Sequence, residues 1–247
     1  MDLGIAGRRA LVCGASRGLG FACAEALAGE GVHVVLAARD TPRLLEAAAR
    51  IEAATGERPA IVAADLATVD GRLGALAACP EPDILVTNGG GPPAKDFRAL
   101  TLEDWSRALD ANFLAAAELI RMTVDGMAGR GFGRIVNITS MTVRVPVERL
   151  DLSTAARLAL TGYAASVCRQ VAVRNVTINN LLPGTILTER IKDLGAMAER
   201  LIARVPAGRA GDPREFGEAC AFLCGARSGF ITGQNLLVDG GLCALTV

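Results

Sequence analysis

Residues 10–20 read Ala10-Leu11-Val12-Cys13-Gly14-Ala15-Ser16-Arg17-Gly18-Leu19-Gly20, and this stretch decides the fold. A short apolar run of strand character ends in a loop with glycine at 14, 18 and 20, and an alanine-rich helical pattern begins inside it. Where a strand turns sharply into a helix, the first helical amides lack partners in the chain and point outward, which suits a pyrophosphate. Glycine is needed because a Cβ would block approach of the backbone to a ligand, or of the helix to the strand. The glycines alone carry a moderate signal, strengthened by their place at the first strand-to-helix turn. A tight turn without a ligand is the plainer alternative.

Outward from this turn, short β-branched runs alternate with longer helical stretches. Strands are expected at 10–13, 32–38, 60–64, 84–87, 134–139, 177–182 and 235–238, and helices near 18–30, 42–54, 67–78, 102–128, 153–173 and 213–225. This alternation predicts an α/β fold of Rossmann type, a doubly wound parallel sheet of seven strands with helices on both faces. No repeat, low-complexity tract or linker interrupts it, so one domain over 1–247 is expected. The least regular part, 185–206, is rich in small and charged residues and reads as a lid over a ligand.

Composition narrows the function. About half of the 247 residues are apolar, and 26 basic groups balance 26 acidic ones. A chain of this kind buries a large core and has no bulk charge with which to hold nucleic acid or an anionic membrane surface. The segment 1–9 lacks an apolar leader core and no apolar run is long enough to span a bilayer, so a soluble cytoplasmic protein is expected. Seven cysteines without paired spacing fit a reducing compartment. The only histidine, His33, lies in a strand candidate, where a packed or edge-exposed ring is expected. With Cys220 and Cys224 the only near thiol pair, no metal site is expected.

The two dinucleotides are distinguished just past the second strand, where an acid binds a ribose 2′-hydroxyl and an arginine accommodates a 2′-phosphate. Ala38-Arg39 stands there, and Arg17 lies in the glycine loop. Two guanidinium groups favour NADP(H) over NAD(H). A shift of one residue would instead bring the Asp40 carboxylate to the ribose.

From Arg8 to Gly241 the chain resembles the short-chain dehydrogenase/reductase family. The glycine loop matches at Gly14, Gly18 and Gly20, and the adenine-side acid at Asp65 with Leu66. The family's Asn-Asn-Ala-Gly segment appears altered, as Thr87-Asn88-Gly89-Gly90. Its helix asparagine aligns with Asn112, its serine with Ser140, and its nicotinamide loop with Pro183-Gly184-Thr185-Ile186-Leu187-Thr188; Val-Asp-Gly-Gly closes the match at Val238 to Gly241. The run Gly89-Gly90-Gly91-Pro92-Pro93 is similar to the 3-oxoacyl-carrier-protein reductase subgroup. The resemblance implies an enzyme moving hydride between nicotinamide and a small carbonyl or alcohol substrate. It also implies a homo-oligomer, dimer or tetramer, joined through the long helices at 102–128 and 153–173. The cofactor set it implies is Gly14, Ser16, Arg17, Gly18, Leu19, Gly20, Arg39, Asp65, Leu66, Asn88, Gly89, Gly90, Arg157, Pro183, Gly184, Ile186 and Thr188.

One part of the pattern is missing. The family's chemistry rests on Tyr-x-x-x-Lys, yet the only tyrosine, Tyr163, is followed four residues later by Val167, and the only lysines are Lys95 and Lys192. Alignment puts Ser153 at the tyrosine and Arg157 at the lysine. An aliphatic hydroxyl is a far weaker acid than a phenol, so Ser153 replaces it poorly. Arginine keeps the charge and can hold ribose hydroxyls, and is expected to orient and polarise without relaying protons. The expected catalytic set is Ser140, Asn112, Ser153 and Arg157, with a water held among the hydroxyls as one proton source. Arg144, four residues after Ser140, is a second candidate, as an anchor for a substrate carboxylate or a clamp on an alkoxide; a solvated loop arginine is the plainer alternative.

Asp151 reads as a residue favouring the start of a helix. Tyr163, ten residues past Ser153, turns about 280° around the helix and is assigned to the core or a subunit contact. The arginines at 144, 149 and 190 hint at an acidic ligand. The competing reading is a dinucleotide-binding sensor or scaffold with little or no turnover, supported by loss of the phenol and the lysine.

Overall fold

A computed structural model describes residues 2–244; Met1 and 245–247, the outer ends of the expected 1–247 domain, lie outside the described residues. Seven strands form one sheet: β1 (Arg9–Cys13), β2 (His33–Ala38), β3 (Ala60–Ala63), β4 (Ile84–Thr87), β5 (Gly133–Ile138), β6 (Val176–Pro183) and β7 (Asn235–Val238). Every pairing is parallel, in the order β3-β2-β1-β4-β5-β6-β7. The expected strands thus form, with ends shifted by a residue at most. The helices are α1 (Gly18–Gly29), α2 (Thr41–Thr55), α3 (Val69–Ala78), α4 (Leu102–Leu109), α5 (Ala115–Gly129), α6 (Asp151–Val171), α7 (Glu189–Lys192), α8 (Ala196–Ile202) and α9 (Pro213–Cys224).

Side chains that alternate along the buried strands feed two cores. Ala10 and Val12 of β1 pack with Val34 and Leu36 of β2 beneath α1, α2 and α9. Leu11 and Cys13 face the other way, joining Val35, Ala37 and Leu85 beneath α3, α5 and α6. Burial on both faces explains why these strands read as continuous apolar runs. Local chemistry sets the helix ends. Asp40 caps α2 by accepting from the Arg43 amide at 3.1 Å, and Thr101 with Asp104, and Asp212 with Glu215, form reciprocal caps on α4 and α9.

Because the chain runs from β1 outward to β3 and then returns to β4 on the other side of β1, a crevice opens beyond the carboxyl ends of β1 and β4. Gly14 follows one strand and Asn88 the other. Three expectations are corrected here. The helix expected at 102–128 is interrupted by a π turn, Asp110–Leu114. The segment 185–206 carries two short helices, α7 and α8, whose small and charged residues lack an apolar period. The helix expected from 153 begins at Asp151, whose charge sits in its first turn. His33 is exposed at the start of β2, its Nδ1 2.5 Å from the Glu57 carboxylate, so the edge-exposed alternative holds.

Candidate active site

At the phosphate end, geometry shows why glycine is required. Gly14 has φ +58°, a left-handed conformation, and a Cβ there would lie 2.6 Å from Asn88 Nδ2. A Cβ on Gly20 would stand 2.3 Å from the Gly14 carbonyl oxygen, so α1 could not approach β1 as it does. Asn88 Nδ2 donates to that same carbonyl at 3.3 Å, tying the loop after β4 to the loop after β1. The result is a tight turn that seats the amino end of α1 at the crevice, where its free amides suit a pyrophosphate. Ser16, Gly18 and Leu19 complete the turn, with Leu19 packed partly into the core.

At the rim, Arg39 is exposed at the end of β2, while Asp40 is turned away. The Asp40 carboxylate accepts from the Arg43 amide and lies 3.4 Å from the Arg43 guanidinium, so part of its acceptor capacity is used in capping α2. The Arg17 guanidinium donates to Glu189 of α7 at 3.0 Å, an exposed pair that joins the glycine loop to the segment after β6. Asp65 follows β3 with its carboxylate accepting from the Ala67 amide at 3.1 Å, and Leu66 lends its carbonyl to Arg72 at 2.9 Å.

The other end of the crevice is lined by β5, the π turn and α6. Ser140 follows β5, and its Oγ accepts from the Thr142 amide at 3.1 Å. On α6, Arg157 Nη1 donates to Ser153 Oγ at 2.5 Å, one helical turn back. Both serine oxygens thus accept an N–H, which leaves their own protons for an acceptor in the cleft. Arg157 Nη2 reaches the Gly89 carbonyl at 3.4 Å, whereas Nε has no partner although the residue is only 8% exposed. Asn112 Oδ1 is likewise buried and unpaired, with Nδ2 donating to the Ala108 carbonyl at 3.3 Å. A Cβ added to Gly89 would lie 3.4 Å from that Oδ1, so the Gly89 backbone lies between Asn112 and the Nη2 of Arg157, while Gly90 stands exposed beside it.

Burial, and after it the positive charge of Arg190, push the Arg157 guanidinium down to about 10. Burial without a counter-charge disfavours the charged guanidinium, and the second positive charge acts in the same direction. The π turn brings Asn112 to Gly89, and such turns recur at functional positions.

The nicotinamide loop closes the crevice. Gly184 packs on Asp239, where a Cβ would meet Asp239 Cβ at 2.6 Å, and its amide donates to the Val238 carbonyl at 3.0 Å. Pro183 ends β6, and Ile186 is core, leaving only its main chain for a ligand. Thr188 stands against Gly18, whose added Cβ would be 3.7 Å from its Cγ2, so this loop meets the glycine loop directly.

Several residues fall outside this arrangement. Tyr163 packs edge-on to Phe113, ring centroids 6.2 Å apart, and donates to the Ala117 carbonyl at 3.4 Å. Burial and the Glu118 charge raise its phenol, the wrong direction for a catalytic acid. Lys95 is paired with Asp104 at 2.5 Å, and Lys192 is exposed on α7. Arg144 is exposed near Cys243, where it opposes the upward push that burial and Asp239 give that thiol; no contact joins it to Ser153 or Arg157 among the described residues. Arg190, by contrast, lies over Gly91 and acts on Arg157. No helix is long and apolar enough to cross a membrane, and no metal-ligand cluster occurs among the described residues.

Comparison with known proteins adds the lineage. The family model for enoyl-(acyl carrier protein) reductase matches residues 14–243. The chain belongs to the short-chain dehydrogenase/reductase family. It is 33% identical over 247 residues to 3-oxoacyl-[acyl-carrier-protein] reductase FabG of Vibrio cholerae, covering 97% of this chain and 99% of the relative. Among solved structures, L-sorbose reductase from Gluconobacter frateurii, complexed with NADPH and L-sorbose, superposes with a TM-score of 0.92 at 31% identity, covering 99% of this chain and 100% of that one. A 3-oxoacyl (acyl-carrier-protein) reductase from Agrobacterium tumefaciens C58 with NADP bound gives a TM-score of 0.89 at 32% identity, covering 97% and 95%. This short-chain family member is therefore similar to such reductases along nearly all its length.

Proposed function

We propose that the protein is an NADP(H)-dependent oxidoreductase of ketoreductase type, interconverting a carbonyl and an alcohol with Ser140, Asn112, Ser153 and Arg157 as its reacting set. The observation that carries this reading is the 2.5 Å hydrogen bond from Arg157 to Ser153 in a buried pocket beside Gly89. Support for the cofactor comes from the glycine cradle, from the exposed Arg39 beside an Asp40 already engaged, and from the NADPH and NADP carried by two structural relatives. Bound NADPH would supply the hydride.

The chain's own residues supply the rest. The Ser140 and Ser153 hydroxyls, each accepting one N–H, direct protons at the substrate oxygen and stabilise the charge that develops there. Ser153 passes its proton to that oxygen as it receives one from Arg157, so the alcohol forms and the guanidine becomes neutral until solvent reprotonates it. Arg157 also holds a ribose hydroxyl, the share of the missing lysine that its charge preserves. Asn112, fixed by the π turn, offers its unpaired Oδ1 to a water that can pass solvent protons inward.

NADPH consumption across a panel of ketones tests the reading. Slow but measurable oxidation is expected, with NADPH binding at micromolar strength or tighter, of order −8 kcal/mol. Tight binding without consumption by any panel member would leave a sensor or scaffold in place of an enzyme.

A further inference from the structure

Arg190 stands in α7 and reaches across the mouth of the crevice to the loop after β4. A Cβ on Gly91 would lie 2.5 Å from its Nη1 and 3.3 Å from its Cζ, so the guanidinium rests on bare backbone that only glycine leaves open. The adjacent acid cannot balance it, because Glu189 is paired with Arg17 at 3.0 Å. Among the described residues no carboxylate lies within ion-pair distance of Arg190 or of Arg157. Arg157, in turn, is more than nine-tenths buried with Nε unpaired, and it feels the charge of Arg190. Arg190, exposed at the mouth, and Arg157, buried below it, thus put two positive charges on one cleft with no carboxylate beside them, an arrangement that favours an anion entering from solvent. The cofactor's phosphates have their own cradle at Gly14 to Gly20, after a different strand.

From this juxtaposition we infer that the substrate is an oxo acid whose carboxylate is held by Arg190 over Gly91 while its carbonyl faces Ser153. The inference rests on the ketoreductase reading and names the substrate class for that same site. A planar guanidinium takes a carboxylate through two parallel hydrogen bonds, which would fix the distance between the anchored carboxylate and the reacting carbonyl. Arg190 is thus a specificity residue, and Gly91 is the absence of a side chain that lets it lie there.

The test compares acid with neutral ester. Acetoacetate, 2-oxobutyrate and 2-oxo-4-phenylbutyrate are each paired with the methyl ester, and dihydroxyacetone phosphate is paired with dihydroxyacetone. With the NADPH-loaded protein, at least one oxo acid is expected to show a KM about tenfold or more below that of its ester, the scale of one charge-assisted hydrogen bond. In Arg190→Gln the acid-to-ester ratio should collapse to within about twofold, and Arg190→Lys should restore part of it. Equal KM values for every acid and ester in the parent protein, or a ratio unmoved in Arg190→Gln, overturn the inference. Preference confined to the phosphate pair also overturns it, in favour of a phosphorylated substrate. If no compound consumes NADPH, the ketoreductase reading has failed, and calorimetric titration of the same acids and esters into the protein decides the carboxylate site alone. Acid binding lost in Arg190→Gln supports the site, and its absence removes it.

Discussion

Replacing Ser153 by alanine removes one oxygen and should separate the proposed chemistry from mere cofactor binding. Arg157 would then lose its 2.5 Å partner and keep only the 3.4 Å contact to Gly89, with Nε already unpaired. Leaving a buried donor unsatisfied costs about 1–3 kcal/mol, which for a chain of this size is about 2–4 °C in Tm per kcal/mol. Water entering the space of the lost hydroxyl would lower that cost. The catalytic effect should be larger. Loss of one hydrogen-bond donor to a developing oxyanion typically lowers turnover by about 10²–10³-fold, and loss of the relay adds to it. Single-turnover oxidation of bound NADPH by an excess of ketone is the assay, with Ser153→Thr as the variant that keeps a hydroxyl. Turnover of Ser153→Ala within about threefold of the parent protein, with the fold intact, would refute the role assigned to Ser153.

Further outcomes follow from the same geometry. Gly20→Ala places a methyl group 2.3 Å from the Gly14 carbonyl, so α1 must retreat from β1; a stability loss of about 1–3 kcal/mol with weaker NADPH binding is expected by thermal melting and titration. Arg39→Ala should weaken NADPH more than NADH, and equal weakening would remove Arg39 from recognition of the 2′-phosphate. Reduction consumes a proton and needs the charged form of Arg157, so its rate should be level at neutral pH and fall as pH rises through about 10, while alcohol oxidation climbs toward that value; a profile unchanged in Arg157→Met would contradict this. Tyr163→Phe should leave turnover within about twofold, since its hydroxyl meets only the Ala117 carbonyl.

Much of this molecule is legible in its sequence where local physics dictates residue type. Gly14 and Gly20 can be read because a left-handed φ and a helix seated on a strand admit nothing larger. Ser153 and Arg157 can be paired because four residues is one helical turn, and the structure joins them by a hydrogen bond. Other features depend on contacts that no local pattern encodes. The π turn at Asp110–Leu114 adds a residue to one turn without changing composition, so 102–128 reads as one helix although Asn112 needs the break. The Arg17–Glu189 pair is not legible locally, because the two residues lie 172 positions apart. Arg190 can be noticed as one arginine among several, but its seat over Gly91 comes from folding the lid segment across the crevice. The lowering of the Arg157 guanidinium likewise depends on burial and on Arg190, a charge remote in sequence.

A crystal structure of the NADP⁺ complex with an oxo acid or alcohol bound tests the central claim most directly. The predicted result has Arg157 hydrogen-bonded to a nicotinamide ribose hydroxyl and Ser153 Oγ within reach of the substrate oxygen. A nicotinamide ring seated elsewhere, or Ser153 and Arg157 joined to each other with neither touching cofactor or substrate, would contradict it.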